Sequence, residues 1–232
     1  MKIERLDWDS NFFDMQIGRV NVSSEEEVNL LAGQQTMLKN SYDLVYVFAK
    51  QGLDFSVANA KLVDEKVVYT LSNNTIHFEA NHNIILWESD KGVTDDLLHL
   101  ALVSGKYSRF RLDEKFPKGS YERLYSCWIE QSVNGKIASG VLCYMIDDVP
   151  KGLVTVSNNN DKCTIGLVAI HEDLQNKGIG TVMMQHVLNY ADNMHCGHIS
   201  VATQLENVAA CRLYEKAGFK VESVMDVWHW WL

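Results

Sequence analysis

The chain has 232 residues, of which 47 % are hydrophobic and 22 % charged, a composition typical of folded globular proteins. Its formal net charge is −9, and an acidic chain without a cluster of lysine and arginine argues against nucleic-acid binding. No segment has the roughly 18 uncharged apolar residues of a membrane span, and the first residues lack the apolar core of a signal peptide. We therefore expect a cytoplasmic protein with no nucleic-acid and no membrane partner.

The cysteines and histidines predict no metal site. There are five cysteines, and the odd number without a Cys-x-x-Cys pair indicates reduced thiols. His195 and His198 flank Cys196, but such a cluster is more typical of a loop than of zinc ligands.

The first part of the chain predicts a small mixed α/β domain, residues 1–93. The polar run at 88–93 follows an apolar strand at 84–87 and marks the boundary to a second domain, residues 94–232. Trp8, Phe12 and Phe13 could line a ligand, although packing is the simpler interpretation. The predicted elements are a helix over Glu25–Lys39 and strands over Leu44–Ala49, Lys66–Leu71 and Thr75–Glu79.

The second domain begins with a helix, since Thr94 suits an N-cap and Gly105 follows the last apolar turn. Tyr121, Leu124, Tyr125 and Trp128 recur at helical spacing, which predicts a second helix. That helix covers Lys118–Val133, and strands follow over Val141–Met145, Gly152–Val156 and Thr164–Ile170.

A glycine-bearing loop at residues 175–180, Gln-Asn-Lys-Gly-Ile-Gly, follows the strand Thr164–Ile170. Apolar residues at helical spacing begin at Ile179, so the glycines lie at a helix N-terminus. The first N–H groups of a helix lack partners, and glycine lets an anion approach them. The loop therefore predicts a diphosphate site, unless it is a tight turn without a ligand. It lacks the three-glycine order of dinucleotide-binding loops and the Gly-Lys-Ser/Thr ending of triphosphatase loops.

A strand over His198–Thr203 and a further helix follow this loop. Asn207 suits the N-cap of that helix, and Gly218 suits the position beyond its end. Asn207 and Tyr214 lie about two helical turns apart and can face the same side. Taken singly, Asn207 could be only a helix cap, and Tyr214 could be only a packed aromatic residue.

Together, these motifs over residues 164–219 resemble the acetyl-CoA-binding core of the GNAT family of N-acetyltransferases. The resemblance implies an α/β (α+β) fold, a mixed twisted sheet flanked by helices, with acetyl-CoA as co-substrate. It also implies that Tyr214 is the catalytic acid that protonates the departing thiolate. The cofactor-binding residues that it implies are Leu167, Val168, Ala169, Ile170, Gln175, Asn176, Lys177, Gly178, Ile179, Gly180, Asn207 and Leu213.

Weaker motifs elsewhere resemble one branch of this family, the dTDP-fucosamine acetyltransferases, which have a small N-terminal domain. They are Asp9–Phe13, Tyr107–Phe110, Phe116-Pro117 and Leu124–Ile129. This branch acetylates the 4-amino group of a nucleotide-linked deoxyamino sugar. An arginine can pair with a diphosphate and an aromatic ring can stack on a sugar or a base. The predicted substrate-binding residues are therefore Arg109, Phe110, Tyr125 and Trp128, with helix packing as the alternative for the last two.

The predicted chemistry is direct attack of a neutral amine on the thioester, with a backbone N–H of residues 167–170 stabilising the oxyanion. His171, Glu172, Asp173 and Glu130 are candidates for a general base, although each also fits a solvated surface group. Other acceptors stay open: another small amine or a protein N-terminus. A CoA-binding module without turnover is a further alternative. The apolar C-terminal segment 227–232 must pack in the core or against a second subunit, and we expect a homodimer.

Overall fold

A computed structural model of the chain describes residues 2–72 and 77–232. Two compact units are formed, one by residues 1–67, 204–206 and 223–232, the other by residues 68–203 and 207–222. This division does not coincide with the predicted boundary after residue 93. The reason is that the last strand of the chain packs with the first strands, while residues 77–93 belong to the second unit.

The first unit is built on a sheet with the strand order β1-β2-β3-β10-β4. The strands β2 and β3 are parallel, and β10 runs antiparallel to β3. The bounds are β1 (Glu4–Arg5), α1 (Asp7–Phe13), β2 (Ile17–Val22), α2 (Glu25–Ala32), α3 (Gln35–Leu38), β3 (Leu44–Lys50) and β4 (Lys61–Ser72), with β10 (Lys220–Trp231) at the end of the chain.

The C-terminal strand β10 is a central part of the core of the first unit. Trp230 is fully buried, lies edge-on to Phe55 at 5.3 Å and donates its indole N–H to the carbonyl of Ala58 at 3.0 Å. Trp228 is also buried, in the same cluster as the valines of β2 and β3. The apolar end of the chain is thus covered by its own chain and gives no reason of its own to expect a second subunit.

The second unit holds a sheet with the strand order β4-β9-β8-β7-β6-β5. Adjacent strands from β8 to β5 pair antiparallel, whereas β8 and β9 pair parallel. The bounds are β5 (Ile84–Leu86), α4 (Asp95–Ser104), α5 (Arg109–Leu112), α6 (Ser120–Val133), β6 (Gly140–Ile146), β7 (Val149–Asn159), β8 (Lys162–Ile170), α7 (Ile179–Asn193), β9 (His198–Gln204) and α8 (Val208–Lys216).

Helices cover both faces of this second sheet. A Cβ atom at Gly152 would lie 2.7 Å from the sulfur of Met183 on α7. The next residue, Leu153, packs in a cluster with Leu97 of α4 and Ile129 of α6. Because successive strand residues point to opposite faces, α7 lies on one face and α4 and α6 on the other. The expected fold class, a mixed sheet flanked by helices, is confirmed.

Most of the predicted elements of the second unit are present, with bounds that differ by a few residues. The predicted N-cap at Thr94 is confirmed, since its hydroxyl accepts the N–H of Leu97 at 3.3 Å. The turn between β6 and β7 places Asp147 and Asp148 at positive φ, as two-residue hairpin turns require.

Two predicted elements of the N-terminal half differ from the structure. The single helix over Glu25–Lys39 is wrong, because the chain leaves the helix at Gly33 and forms α2 and α3, as the low helix propensity of glycine favours. The strand over Thr75–Glu79 is wrong for residues 77–79, while residues 75 and 76 lie outside the described residues. Instead of pairing in a sheet, the N–H and carbonyl of Phe78 bind the side-chain amide of Asn189 at 3.0 and 2.9 Å.

The prediction of reduced thiols is wrong for one pair of cysteines. Cys163 on β8 and Cys196 before β9 form a disulfide, with their Cα atoms 5.9 Å apart. Cys163 pairs with Ile199 in the parallel ladder of β8 and β9, and Cys196 lies three residues before Ile199. This register brings the two sulfur atoms together. Within residues 2–72 and 77–232, no helix is both long and apolar enough to cross a membrane.

Candidate active site

A β-bulge on β8 shapes the centre of the site. Val154 faces Val168 and Val156 faces Ile165, so Thr155 alone opposes both Gly166 and Leu167. The hydroxyl of Thr155 accepts the backbone N–H of Leu167 at 2.8 Å. A Cβ atom at Gly166 would lie 2.6 Å from that hydroxyl oxygen, so the bulge needs glycine at this position. Extra residues of this kind bend a strand and increase its twist.

The parallel pairing of β8 with β9 ends at the bulge. Its last pair is Ile165 with Val201, although both strands continue. The N–H groups of Leu167 and His171 point to β7, where they bind Thr155 and the carbonyl of Lys151. Because direction alternates along a strand, the N–H groups of Val168 and Ile170 face the gap that β9 leaves. This gap is a slot with backbone donors along one wall.

A cavity of about 420 Å³ lies at this slot. From β8 it is lined by three of the residues that were predicted to bind the cofactor, Val168, Ala169 and Ile170. The fourth residue of the predicted strand segment, Leu167, is not among the lining residues, and its N–H is already bonded to Thr155. An oxyanion donor in this segment is therefore better sought at Val168 than at Leu167.

The glycine-bearing loop closes one end of the cavity through Gln175, Asn176, Gly178 and Gly180. Gly178 is the N-cap of α7 with φ 83°, and Asn176 before it also has a positive φ. The first N–H groups of a 15-residue helix therefore open towards the cavity, where they favour anions. The side-chain amide of Gln175 donates to the carbonyl of Ile170 at 3.0 Å and fixes the loop to the end of β8. Lys177 and Ile179, also predicted, are not among the lining residues.

Helix α8 forms the opposite wall, with Asn207 and Leu213 among its lining residues. The Oδ1 atom of Asn207 accepts the N–H of Ala210 at 3.3 Å, which makes it the predicted N-cap of α8. This bond leaves the amide nitrogen of Asn207 for a ligand in the cavity. Leu213 packs against the loop so closely that a Cβ atom at Gly180 would lie 3.3 Å from its methyl carbons. Glycine at 180 thus lets α7 and α8 approach each other.

Tyr214, the predicted catalytic acid, lies behind this wall. Its side chain is 3 % exposed, and it is not a lining residue, although it directly follows Leu213. Its ring lies 5.8 Å from that of Tyr69 and 6.0 Å from that of Phe219. Burial, with a smaller contribution from Cys211, raises the pKa of Tyr214 above its usual value. The hydroxyl therefore keeps its proton at neutral pH.

The four predicted substrate-binding residues lie outside the cavity lining. Phe110, Tyr125 and Trp128 contact one another, with ring centroids 6.3 Å apart for Phe110 and Trp128 and 4.9 Å apart for Tyr125 and Trp128. The ring of Tyr125 fills the space that a Cβ atom at Gly105 would need. The guanidinium of Arg109 lies 4.8 Å from the ring of Phe110. The contacts of Tyr125 and Trp128 are compatible with helix packing, the alternative that their helical spacing allowed.

The cavity wall next to α8 and β8 comes instead from the end of α4 and the residues behind it. Val103, Ser104, Lys106 and Tyr107 line it, and the ammonium of Lys106 lies 5.6 Å from the ring of Tyr107. None of these was predicted as a site residue, although Tyr107 opens the motif that contains Arg109. The motif at residues 107–110 therefore does contain a residue of the cavity wall, Tyr107, two positions before Arg109.

Three of the candidate bases, His171, Glu172 and Asp173, lie together after β8, next to His99 on α4. Glu172 Oε2 lies 3.1 Å from His99 Nε2 and 3.9 Å from His171 Nδ1. A hydrogen bond to its own backbone, followed by the bond from His99, holds the pKa of Glu172 below its usual value. The Oδ2 atom of Asp173 lies 3.5 Å from His171 Nδ1. Both Asp173 and the fourth candidate, Glu130, are exposed.

Residues 99–219 match the model of the acetyltransferase (GNAT) family. The chain is 30 % identical to dTDP-fucosamine acetyltransferase of Escherichia coli, over 95 % of the chain and 94 % of that protein. It is 25 % identical to the spore coat polysaccharide biosynthesis protein SpsD of Bacillus subtilis, over 61 % of the chain but only 49 % of that longer protein.

A solved structure has a similar fold. An acetyltransferase of the GNAT family from Colwellia psychrerythraea superposes with a TM-score of 0.55, at 13 % identity, over 88 % of this chain and 71 % of that one. The split between β8 and β9, the helix N-terminus at the loop and the match over 99–219 define a GNAT acetyltransferase core. This chain belongs to the acetyltransferase (GNAT) family. It is an acetyl-CoA-dependent N-acetyltransferase, with acetyl-CoA as its acetyl donor.

Proposed function

We propose that this protein acetylates the amino group of a nucleotide-linked deoxyamino sugar of the dTDP-fucosamine type. The observation that carries the proposal is the 30 % identity to dTDP-fucosamine acetyltransferase, which extends over 95 % of this chain and 94 % of that protein. An alignment of this extent includes the first unit, of which the family model at residues 99–219 covers only residues 204–206. The similarity to a polysaccharide biosynthesis protein supports the same acceptor class.

The residues of the cavity fit acetyl-CoA as a ligand. The first turn of α7 offers unpaired N–H groups to the diphosphate, and the slot along β8 offers those of Val168 and Ile170 to the pantetheine arm. The neutral amine attacks the thioester carbon of acetyl-CoA, so that the N–C bond forms and the C–S bond breaks. The proton that the amine loses passes to water. We assign to Val168 the N–H that stabilises the negative charge that develops on the carbonyl oxygen.

Tyr214 is proposed as the acid that protonates the thiolate. The raised pKa of its buried hydroxyl keeps the proton in place at neutral pH, and its position next to Leu213 sets it directly behind the α8 wall. We also propose that the acceptor is bound by the residues predicted from the sequence, namely Arg109, Phe110, Tyr125 and Trp128. Homodimer formation and a cytoplasmic location stay predictions.

The proposal is tested by thiol release from acetyl-CoA in the presence of a panel of amines. The panel contains dTDP- and UDP-linked amino sugars, polyamines, free amino acids and peptides with a free N-terminus. We expect rapid turnover with a dTDP-linked 4-amino-4,6-dideoxy sugar, and a product heavier by one acetyl group in mass spectrometry. The matched control is the same nucleotide sugar with a hydroxyl in place of the amine, which must give no turnover. Faster turnover with a small amine or a peptide would move the acceptor to that class. Binding of acetyl-CoA without turnover on any amine would favour a CoA-binding module.

A further inference from the structure

We propose that His99, His171 and Glu172 form a binding site for a divalent zinc-like metal ion at the rim of the cofactor cavity. One ligand comes from the middle of α4 and two from the short turn after β8. The three ligand atoms, two imidazole nitrogens and one carboxylate oxygen, all lie within 4.8 Å of one another. Of the residues that the structure describes, this is the one such group of three or more.

The distances are compatible with a metal site as well as with the hydrogen bond between His99 and Glu172. Zinc binds histidine nitrogen and carboxylate oxygen at about 2.0–2.2 Å, so ligand atoms at tetrahedral angles lie about 3.3 Å apart. The Oε2 atom of Glu172 lies 3.1 Å from His99 Nε2 and 3.9 Å from His171 Nδ1. Side-chain rotations would bring the three ligand atoms, which all lie within 4.8 Å of one another, to the spacing of a metal site. Two neutral imidazoles and one carboxylate carry one negative charge, which favours a divalent cation.

The ligand set also selects the class of ion. Two imidazoles with one carboxylate are typical of zinc sites that keep a position open for water or another ligand. Imidazole ligands disfavour calcium and magnesium, which prefer oxygen. The side chains of His99 and Glu172 are 49 % and 56 % exposed, so solvent can occupy the remaining position. Zinc, or cobalt and nickel as its substitutes, is therefore the expected occupant.

The place of the site in the fold indicates what a bound ion would do. His99 precedes Val103 by about one helical turn on α4, and His171 directly follows Ile170 on β8. Val103 and Ile170 line two walls of the cavity. An ion held by His99 and His171 would join these walls and stabilise the cavity without occupying it. The site is independent of the acceptor, so its failure would leave the proposed reaction untouched.

Calorimetric titration of the metal-free full chain with zinc chloride tests the site directly. We expect one saturable site, and we expect His99→Ala and Glu172→Gln each to lower its zinc affinity at least ~10-fold. Substitution of residues that only support metal ligands already lowers metal affinity by about 10–100-fold. The matched control is His198→Ala, which removes a histidine that lies 3.8 Å from a carboxylate of Asp161 but belongs to no group of three ligands among the described residues. This control must leave the affinity unchanged, and circular dichroism must show all three variants folded.

A second measurement uses cobalt as the probe. Cobalt in a tetrahedral site absorbs visible light, and this absorption must be present in the wild type and in His198→Ala but lost in His99→Ala. The same ion must raise the melting temperature of the wild type and not that of His99→Ala. The proposal is overturned if no saturable binding is found, or if His198→Ala weakens binding as much as His99→Ala does.

Discussion

Leu167 donates its backbone N–H to the hydroxyl of Thr155 at 2.8 Å, so a side chain takes the place of a strand carbonyl in the ladder between β7 and β8. This bond holds the bulge at which β8 separates from β9. The slot for the cofactor therefore depends on the hydroxyl of Thr155, a residue that is only 4 % exposed.

The first prediction follows from this bond. Thr155→Val keeps the shape of the side chain but leaves the N–H of Leu167 without an acceptor, and we expect a loss of about 1–3 kcal/mol in the free energy of unfolding. Urea denaturation measures it. Thr155→Ser, which keeps the hydroxyl, is the control and should lose less. Equal stability of wild type and Thr155→Val would show that the hydroxyl does not hold the bulge.

A second prediction concerns Gly178, the N-cap of α7. Its φ is 83°, and alanine at such an angle costs about 1–2 kcal/mol. We expect Gly178→Ala to shift the loop and to raise the KM of acetyl-CoA about tenfold, a change of about 1.4 kcal/mol. Steady-state kinetics with varied acetyl-CoA checks this.

The chain offers a close control for this variant. Gly119 is the N-cap of α6 with φ 85°, and a Cβ atom there, as at Gly178, would have no neighbour within 4 Å. Gly119→Ala should cost similar stability but leave the KM of acetyl-CoA near that of the wild type. If both variants change the KM equally, the loop has no special part in cofactor binding.

The third prediction is that Tyr214→Phe lowers kcat by about 10²–10⁴-fold, the usual contribution of a positioned acid. Acetyl-CoA affinity, measured by calorimetry, should stay near the wild-type value. Because burial raises the pKa of Tyr214, its deprotonation should reduce kcat only above about pH 10. The control is Tyr69→Phe. The hydroxyl of Tyr69 donates to Glu215, and we expect its removal to leave kcat near the wild-type value. Near-normal kcat in Tyr214→Phe would remove this residue from the role of acid.

The fourth prediction concerns the acceptor. Removal of a charged partner of a phosphate costs about 1.5–3 kcal/mol, so Arg109→Ala should raise the KM of the acceptor about 10–100-fold. The KM of acetyl-CoA should change less. Arg111→Ala, on the same short helix, is the control and should affect neither. An equal rise in both KM values would count against a contact between Arg109 and the acceptor.

The fifth prediction is a pH dependence of stability. Burial raises the pKa of the Cys143 thiol to about 12, while an unfolded thiol titrates near about 8.5. The folded state therefore favours the protonated thiol, so this contribution is complete below about pH 8.5 and is lost as the pH rises towards the folded value. Between pH ~9 and ~10 the free energy of unfolding should fall by up to about 1.4 kcal/mol per pH unit. Urea denaturation of Cys143→Ala should show a flatter slope over this interval, and the same slope as the wild type would contradict the assignment.

Local patterns in the sequence were sufficient for most of the elements. Helical spacing located α6 and α7, and the residues that cap helices located the start of α4 and α8. The glycine-bearing loop was placed correctly at the N-terminus of α7, because glycine at positive φ and a helix start are properties of a few neighbouring residues. Asn207 was correctly placed as a cap for the same reason.

Pairings between distant residues were decided only by the tertiary structure. The bulge at Gly166 depends on Thr155 in the neighbouring strand, and the separation of β8 from β9 has no pattern of its own in the sequence. Cys163 and Cys196 lie 33 residues apart and meet through the parallel register of two strands. His99 and Glu172 lie 73 residues apart, so no search for closely spaced metal ligands could join them. The sequence by itself located most of the helices and strands of the second unit to within a few residues, since propensity and periodicity are local. Which side chains meet at the cavity was decided by packing, because it depends on how strands are ordered and which face each helix covers.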